Sequence, residues 1–232
     1  MSLLTIAIDA ARELGLPVPT GVVASSDPQT LLLLRMANEE GKSLATRADW
    51  QNLTSEHTFV TVTTDAQTSS IPSDFDHIVS DTMFNRTTIR KVYGPISESD
   101  WQRYKASLTS YVNPAFRIRG GSILMAPTQT AGQTVAYEYI SNKWCQSSGG
   151  TAQSAFAADS DTGKLDEELI RLGMVWRFRK AKGLEYAGQR DDYERRLLDF
   201  ILRDGAKVRL DASCSSGEYS PRAPQMPDTL VF

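Results

Sequence analysis

Few residues in this chain are of a type and spacing that could do chemistry. A hydrolase needs a nucleophile beside a base, or two tuned carboxylates held in one cleft. The two histidines, His57 and His77, stand in no nucleophile motif and read as packing or surface groups. Asp159-Ser160-Asp161-Thr162-Gly163 opens like a calcium loop, but position six is Lys164 and position twelve is Ile170, where a bidentate Glu belongs. It reads instead as a turn that caps the following helix. Gly120-Gly121 lacks the strand, helix and lysine of a phosphate-binding loop, so it reads as a hairpin turn. Cys145 and Cys214 have no Cys or His at metal-ligand spacing and read as free thiols. No motif calls for a cofactor or a metal. A glycosidase pair would be set by the fold rather than by spacing, which leaves a cell-wall glycan hydrolase as one alternative.

The densest basic and aromatic stretch is Trp176-Arg177-Phe178-Arg179-Lys180-Ala181-Lys182, followed by Arg190, Arg195, Arg196 and Arg203. It raises a second alternative, a DNA-binding packaging or ejection factor. Asp191, Asp192, Glu194 and Asp199 interleave at helical spacing, however, and favour surface ion pairs. A solvated or subunit-facing surface is the better reading, with Arg177, Arg179 and Arg195 as its contact residues.

Amphipathic periodicity predicts a helix over Ser2 to Leu14, with Leu3, Ile6, Ala10 and Leu14 inward. Asp27-Pro28 caps a second helix running to about Trp50, where Leu33, Ala37, Gly41, Leu44 and Ala48 form one stripe. Small residues in that stripe predict close approach of another helix or subunit, and Leu33, Ala37 and Gly41 are assigned to a subunit interface. From His57 the period changes to two, through Phe59, Thr61 and Thr63. Ser73-Asp74 is expected to cap a brief helix through Phe75 and Ile78, and Thr88 to Tyr93 to form a strand. Ser97 and Asp100 start a helix carrying Trp101, Tyr104 and Leu108. A hairpin follows, with Phe116 to Arg119 and Ile123 to Met125 around the glycine pair, and then a strand from Thr134 to Ile140. Gln146 to Asp161 reads as a long loop. Two helices close the body: one starts near Asp166 with Leu169, Leu172 and Trp176 inward, and one runs to about Lys207 with Tyr193, Leu197, Phe200 and Ile201 inward.

The whole is an α+β fold, a helical bundle body with an inserted antiparallel β-unit and an extended C-terminal arm. Its expected divisions are 1–55 and 146–211 for the body, 56–145 for the β-unit and 212–232 for the arm. Length and composition agree: 232 residues, 41% hydrophobic and 23% charged, are ordinary for a folded domain. A net charge of -3 gives no overall attraction to nucleic acid or anionic membranes. The apolar run Leu31 to Leu34 is far short of the roughly 20 residues that span a bilayer. The first sixteen residues lack the features of a secretory signal, which points to the cytoplasm of the producing cell. In the arm, Pro221, Pro224 and Pro227 recur every third residue ahead of Leu230-Val231-Phe232. Such a segment cannot be helical and suits ordering on a partner.

Four stretches carry a family likeness. They are Ile71-Pro72-Ser73-Asp74-Phe75, Gly94-Pro95-Ile96-Ser97 followed by Trp101, Phe156 with Asp159 and Asp161, and Leu172-Gly173-Met174-Val175-Trp176-Arg177. With the order of elements over nearly the whole chain, they resemble the head-to-tail adaptors of tailed phages, including the tail tubular and tail-adaptor proteins of short-tailed phages. The resemblance implies a non-enzymatic virion protein of the neck, met in the host cytoplasm during assembly. It implies a homo-oligomeric ring of twelve copies under the portal protein, with genomic DNA passing through without sequence-specific binding. It also implies an arm, Gly217 to Phe232, that reaches the portal, with Glu218, Tyr219, Pro221, Pro224, Met226, Pro227, Leu230, Val231 and Phe232 as its contacts. The β-unit is expected to face a downstream tail or nozzle protein through Phe116, Ile118, Gly120, Gly121 and Ile123.

Overall fold

In the computed structural model, which describes residues 1–106 and 113–205, the chain is an α+β protein with antiparallel sheets. Four helices form the body: α1 (Leu3–Leu14), α2 (Pro28–Ala45), α4 (Glu167–Ala181) and α5 (Ala187–Asp204). Their apolar stripes meet in one core. Leu3, Ile6 and Ala10 pack with Leu33, Ala37 and Leu44, with Leu169 and Met174, and with Tyr193, Leu197 and Ile201. The caps are local and chemical. The Ser2 hydroxyl accepts from the Thr5 N–H, the Asp27 carboxylate from the Thr30 N–H at 2.8 Å, and Asp166 from the N–H groups of Glu168 and Leu169.

Between α2 and α4 lie β1 (Thr54–Val60), β2 (Phe75–Ile78), β3 (Phe84–Asn85), β4 (Arg90–Lys91), α3 (Glu98–Ala106), β5 (Ala115–Arg119), β6 (Ser122–Ala126) and β7 (Thr134–Ser141). β7 is the central strand. β1 pairs with it from Thr54↔Ile140 to Val60↔Thr134, while β2 and β3 share its other edge and β4 continues from β3. The β5–β6 hairpin turns at Gly120-Gly121 as expected and lays Phe116, Ile123 and Met125 against Phe59, Val135 and Tyr137. α3 starts with the expected reciprocal bonds of Ser97 and Asp100 and seats Trp101 on Leu124 and Ala126. Tyr104, next on that helix's predicted stripe, packs beside Trp101, and Leu108 lies outside the described residues.

Several expectations are corrected. Phe75–Ile78 is a strand, not a helix: the Asp74 carboxylate accepts from the hydroxyls of Tyr139 and Ser141 and so ties the segment to β7. The strand expected over Thr88 to Tyr93 shrinks to Arg90–Lys91, because Ile89 adopts φ 54° and breaks the extended run. α2 ends at Ala45, well before Trp50, where the Trp50 indole N–H returns to the Leu44 carbonyl at 2.7 Å. The stretch expected as a loop over Gln146 to Asp161 contributes to a small sheet of β8 (Cys145–Gln146), β9 (Ala152–Gln153) and β10 (Thr162–Gly163), each strand too short to show a period. Asp159 and Asp161 do not cap the following helix. Their carbonyls accept the first N–H groups of α1, from Leu4 and Leu3, and their carboxylates accept from Val22 and Val23 and from Ala157 and Ala158 respectively.

Candidate functional site

The small residues of α2 serve this chain's own interior. Leu33, Ala37 and Gly41 are buried, and a Cβ at Gly41 would overlap the Trp144 ring. The three residues assigned to a subunit interface are therefore consumed inside the molecule, because Trp144 and α4 fill the groove that Ala37 and Gly41 leave open. On the same stripe Glu40 is fully buried. Its carboxylate accepts from Arg177 Nε at 2.5 Å and from the Tyr193 hydroxyl, and Gly173 leaves the room in which it sits. Burial, and then the Glu40 charge, push the Tyr193 phenol far above its ordinary range. α2, α4 and α5 are thus joined at one satisfied polar point. An acid on an apolar stripe, three residues after Ala37, was the readable signal for it.

Part of the basic stretch after Trp176 is likewise spent within the chain, while Lys180 and Lys182 stay exposed. Arg177 holds Glu40 and lies 4.8 Å over the Trp176 ring, while Arg179 donates to the Glu185 carbonyl at 3.0 Å. Arg195 pairs with Asp192, Arg196 with Glu168 and Arg47 with Glu194. Of the expected contact cations, Arg195 stays on the surface, Arg179 is turned back on its own helix end and Arg177 is drawn into the core polar cluster. Arg177, Arg195 and Arg196, matched in this way, offer duplex DNA little charge to engage.

The two histidines are structural as well. His57 Nε2 is 2.9 Å from the Ser69 carbonyl, and His77 lies between the carboxylates of Asp76 (2.7 Å) and Asp49 (3.0 Å), joining β2 to the segment after α2. Burial pushes the Cys145 thiol up to about 12, so it is inert near neutrality. Phe116 and Ile123, expected to face the tail, are buried under the sheet, and Ile118 is half-buried. Of the five residues expected to face the tail, Gly120 and Gly121 at the turn are exposed, beside the exposed Arg119. The arm residues from Glu218 to Phe232, Cys214 and the end of the last predicted helix at Lys207 lie outside the described residues.

No periodicity in the chain marked the exposed apolar side chains in advance. Leu198 and Leu202 stand on the outer face of α5, and Val60, Phe84 and Ile89 crowd one end of the large sheet. Among the described residues, one open depression is bounded by Glu56, Asp81, Arg86 and Glu138 together with Phe84 and Tyr137. A family model described as SU10 adaptor protein matches residues 1–216 of the chain. No match was found among the curated proteins.

Proposed function

The chain belongs to the SU10 adaptor protein family, a phage head-to-tail adaptor family, and we propose that it works as one subunit of a ring that joins the portal to the tail. The observation that carries this reading is a family match over almost the whole chain rather than over one motif. Family membership makes the protein a structural component of the virion neck. The proposal adds that copies close into a ring, twelve by the family likeness, around a channel through which DNA passes. It adds that 212–232 form an arm on the portal, and that a downstream tail protein meets the β-unit. The helical body of 1–55 and 146–211 supplies the rigid wall, and no catalytic step is needed.

A ring subunit requires rigid elements whose relative positions do not drift, since a small tilt per subunit accumulates around the circle. The Glu40, Arg177 and Tyr193 cluster and the His77 bridge supply such fixed points. Negative-stain microscopy of the protein mixed with the portal of the same phage tests the proposal. Closed rings seated on one end of the portal are expected. A mixture that stays as free portal and scattered single chains overturns it.

A further inference from the structure

We propose that the outer edge of β1 pairs with residues 206–211 of this same chain, which join the large sheet as a strand parallel to β1 and fasten the base of the arm to the β-unit. The free edge follows from the ladder. Just after β1 the Thr61 N–H bonds the Gln133 carbonyl, so every second residue back from it, Phe59, His57 and Ser55, also faces β7. The other residues of β7 face away from β1, and there the Thr134 carbonyl accepts from Arg86 and the Glu138 carbonyl from Val79. The N–H and C=O groups of Glu56, Thr58 and Val60 therefore point out of the sheet. Among the described residues β1 pairs with β7 alone, and Glu56, Thr58 and Val60 are all exposed. Folded proteins ordinarily blunt such an edge with a lysine, a proline or a bulge, because it is a template for another strand. β1 has none of these over seven residues of unbroken register, and its one acid, Glu56, is matched by Arg86.

Position, pattern and charge choose the occupant. α5 ends close to the start of β1, where the Gln51 N–H donates to the Asp204 carboxylate at 2.9 Å, and the left-handed Gly205 stops the helix there. The chain that continues is Ala206-Lys207-Val208-Arg209-Leu210-Asp211, in which charged and apolar residues alternate with the period of a strand. Extended, these residues span about 20 Å, enough to run from Gln51 along β1, and entry at the Thr54 end makes the run parallel. The family match continues to residue 216, so 206–211 belong to the shared unit, whereas 217–232 do not. Lys207 and Arg209 then bring positive charge to the sheet face that carries Glu56, Asp81 and Glu138, and Val208 and Leu210 lie on the face of Phe59. A strand held in this way carries a pull on the arm into the sheet as well as into α5. This pairing is a property of the single chain and does not depend on the ring reading.

Two measurements on the full chain without portal test it, so a failed ring assay leaves it untouched. In a Cys214→Ser background, Thr58→Cys is combined in turn with Lys207→Cys, Val208→Cys, Arg209→Cys and Leu210→Cys and oxidised. Disulfides should form within one chain, several-fold more at 207 and 209 than at 208 and 210, because alternate residues of paired strands share a face. No linkage, or equal linkage at all four positions, overturns the pairing. Links that form only between two chains also overturn it, since a neighbour's segment would then occupy the edge. Amide exchange supplies the second measurement. The N–H groups of Glu56, Thr58 and Val60 should exchange about tenfold faster or more in a chain ending at Gly205 than in the full chain, with the β7 amides unchanged. A chain ending at residue 216 should keep the slow rates. Equal exchange in all three chains overturns the proposal, and so does protection lost on removing 217–232 alone, which would put the arm itself on the edge.

Discussion

Glu40 is the residue on which three helices converge. A buried carboxylate is tolerated only when its charge is matched and its lone pairs are filled, and here Arg177 and Tyr193 do both. Removing one partner of a buried pair costs about 3–5 kcal/mol, because the other charge is left stranded. Arg177 keeps 22% of its side chain exposed and can partly rehydrate, so Glu40→Ala is expected near the lower end, about 3 kcal/mol. Urea denaturation checks this, and a midpoint unchanged from the parent would show that the cluster is energetically idle. Asp74 carries a pH dependence. Burial opposes its charge, but the hydroxyls of Ser141 and Tyr139 win and hold it below the ordinary 3.8. Its contribution is complete above pH 3.8 and is lost as pH falls through the lower folded value. Asp74→Asn should therefore lose less of its melting temperature between pH 6 and pH 3 than the parent does, and an equal loss would place the acid sensitivity elsewhere.

At the scale of the element, α2 depends on closeness. Gly41 lets the helix backbone approach the Trp144 ring, and Gly173 does the same for α4 at Glu40. Gly41→Ala sets two effects against each other. Alanine gains about 1 kcal/mol in helix propensity, while inserting a methyl into a filled core costs about 1–3 kcal/mol or more. Trp144 is 1% exposed and has nowhere to retreat, so overpacking should win and the variant should melt lower. A higher melting temperature would show that the Trp144 ring yields. The β5–β6 hairpin shows the opposite economy. Its glycine turn is open, and its stability comes from the inward residues Phe116, Ile123 and Met125 on the underside of the sheet. That is why those residues cannot also serve an outside partner.

For the whole molecule, the adaptor reading separates folding from docking. If residues 217–232 serve only the portal, their deletion should leave the melting temperature of the body within about 1 °C, under the roughly 2–4 °C shift that 1 kcal/mol gives a chain of this size, while portal binding in a pull-down disappears. Retained binding would return the arm's role to the body. Ordering such an arm costs roughly 1–2 kcal/mol per residue, so the seating of Leu230, Val231 and Phe232 must offset a large entropy. The amino-acid sequence alone determined the helices, the cap at Asp27, the glycine hairpin, the strand that becomes β7 and the family likeness, because periodicity and capping are local physics. It did not determine the strand at Phe75–Ile78, since Asp74 is claimed by hydroxyls distant in the chain. It did not show whether the small residues of α2 meet a neighbour or this chain's own Trp144, nor that Ile89 is exposed and left-handed. Those are questions of which surfaces meet, and contacts across long sequence separations exist only once the chain has folded.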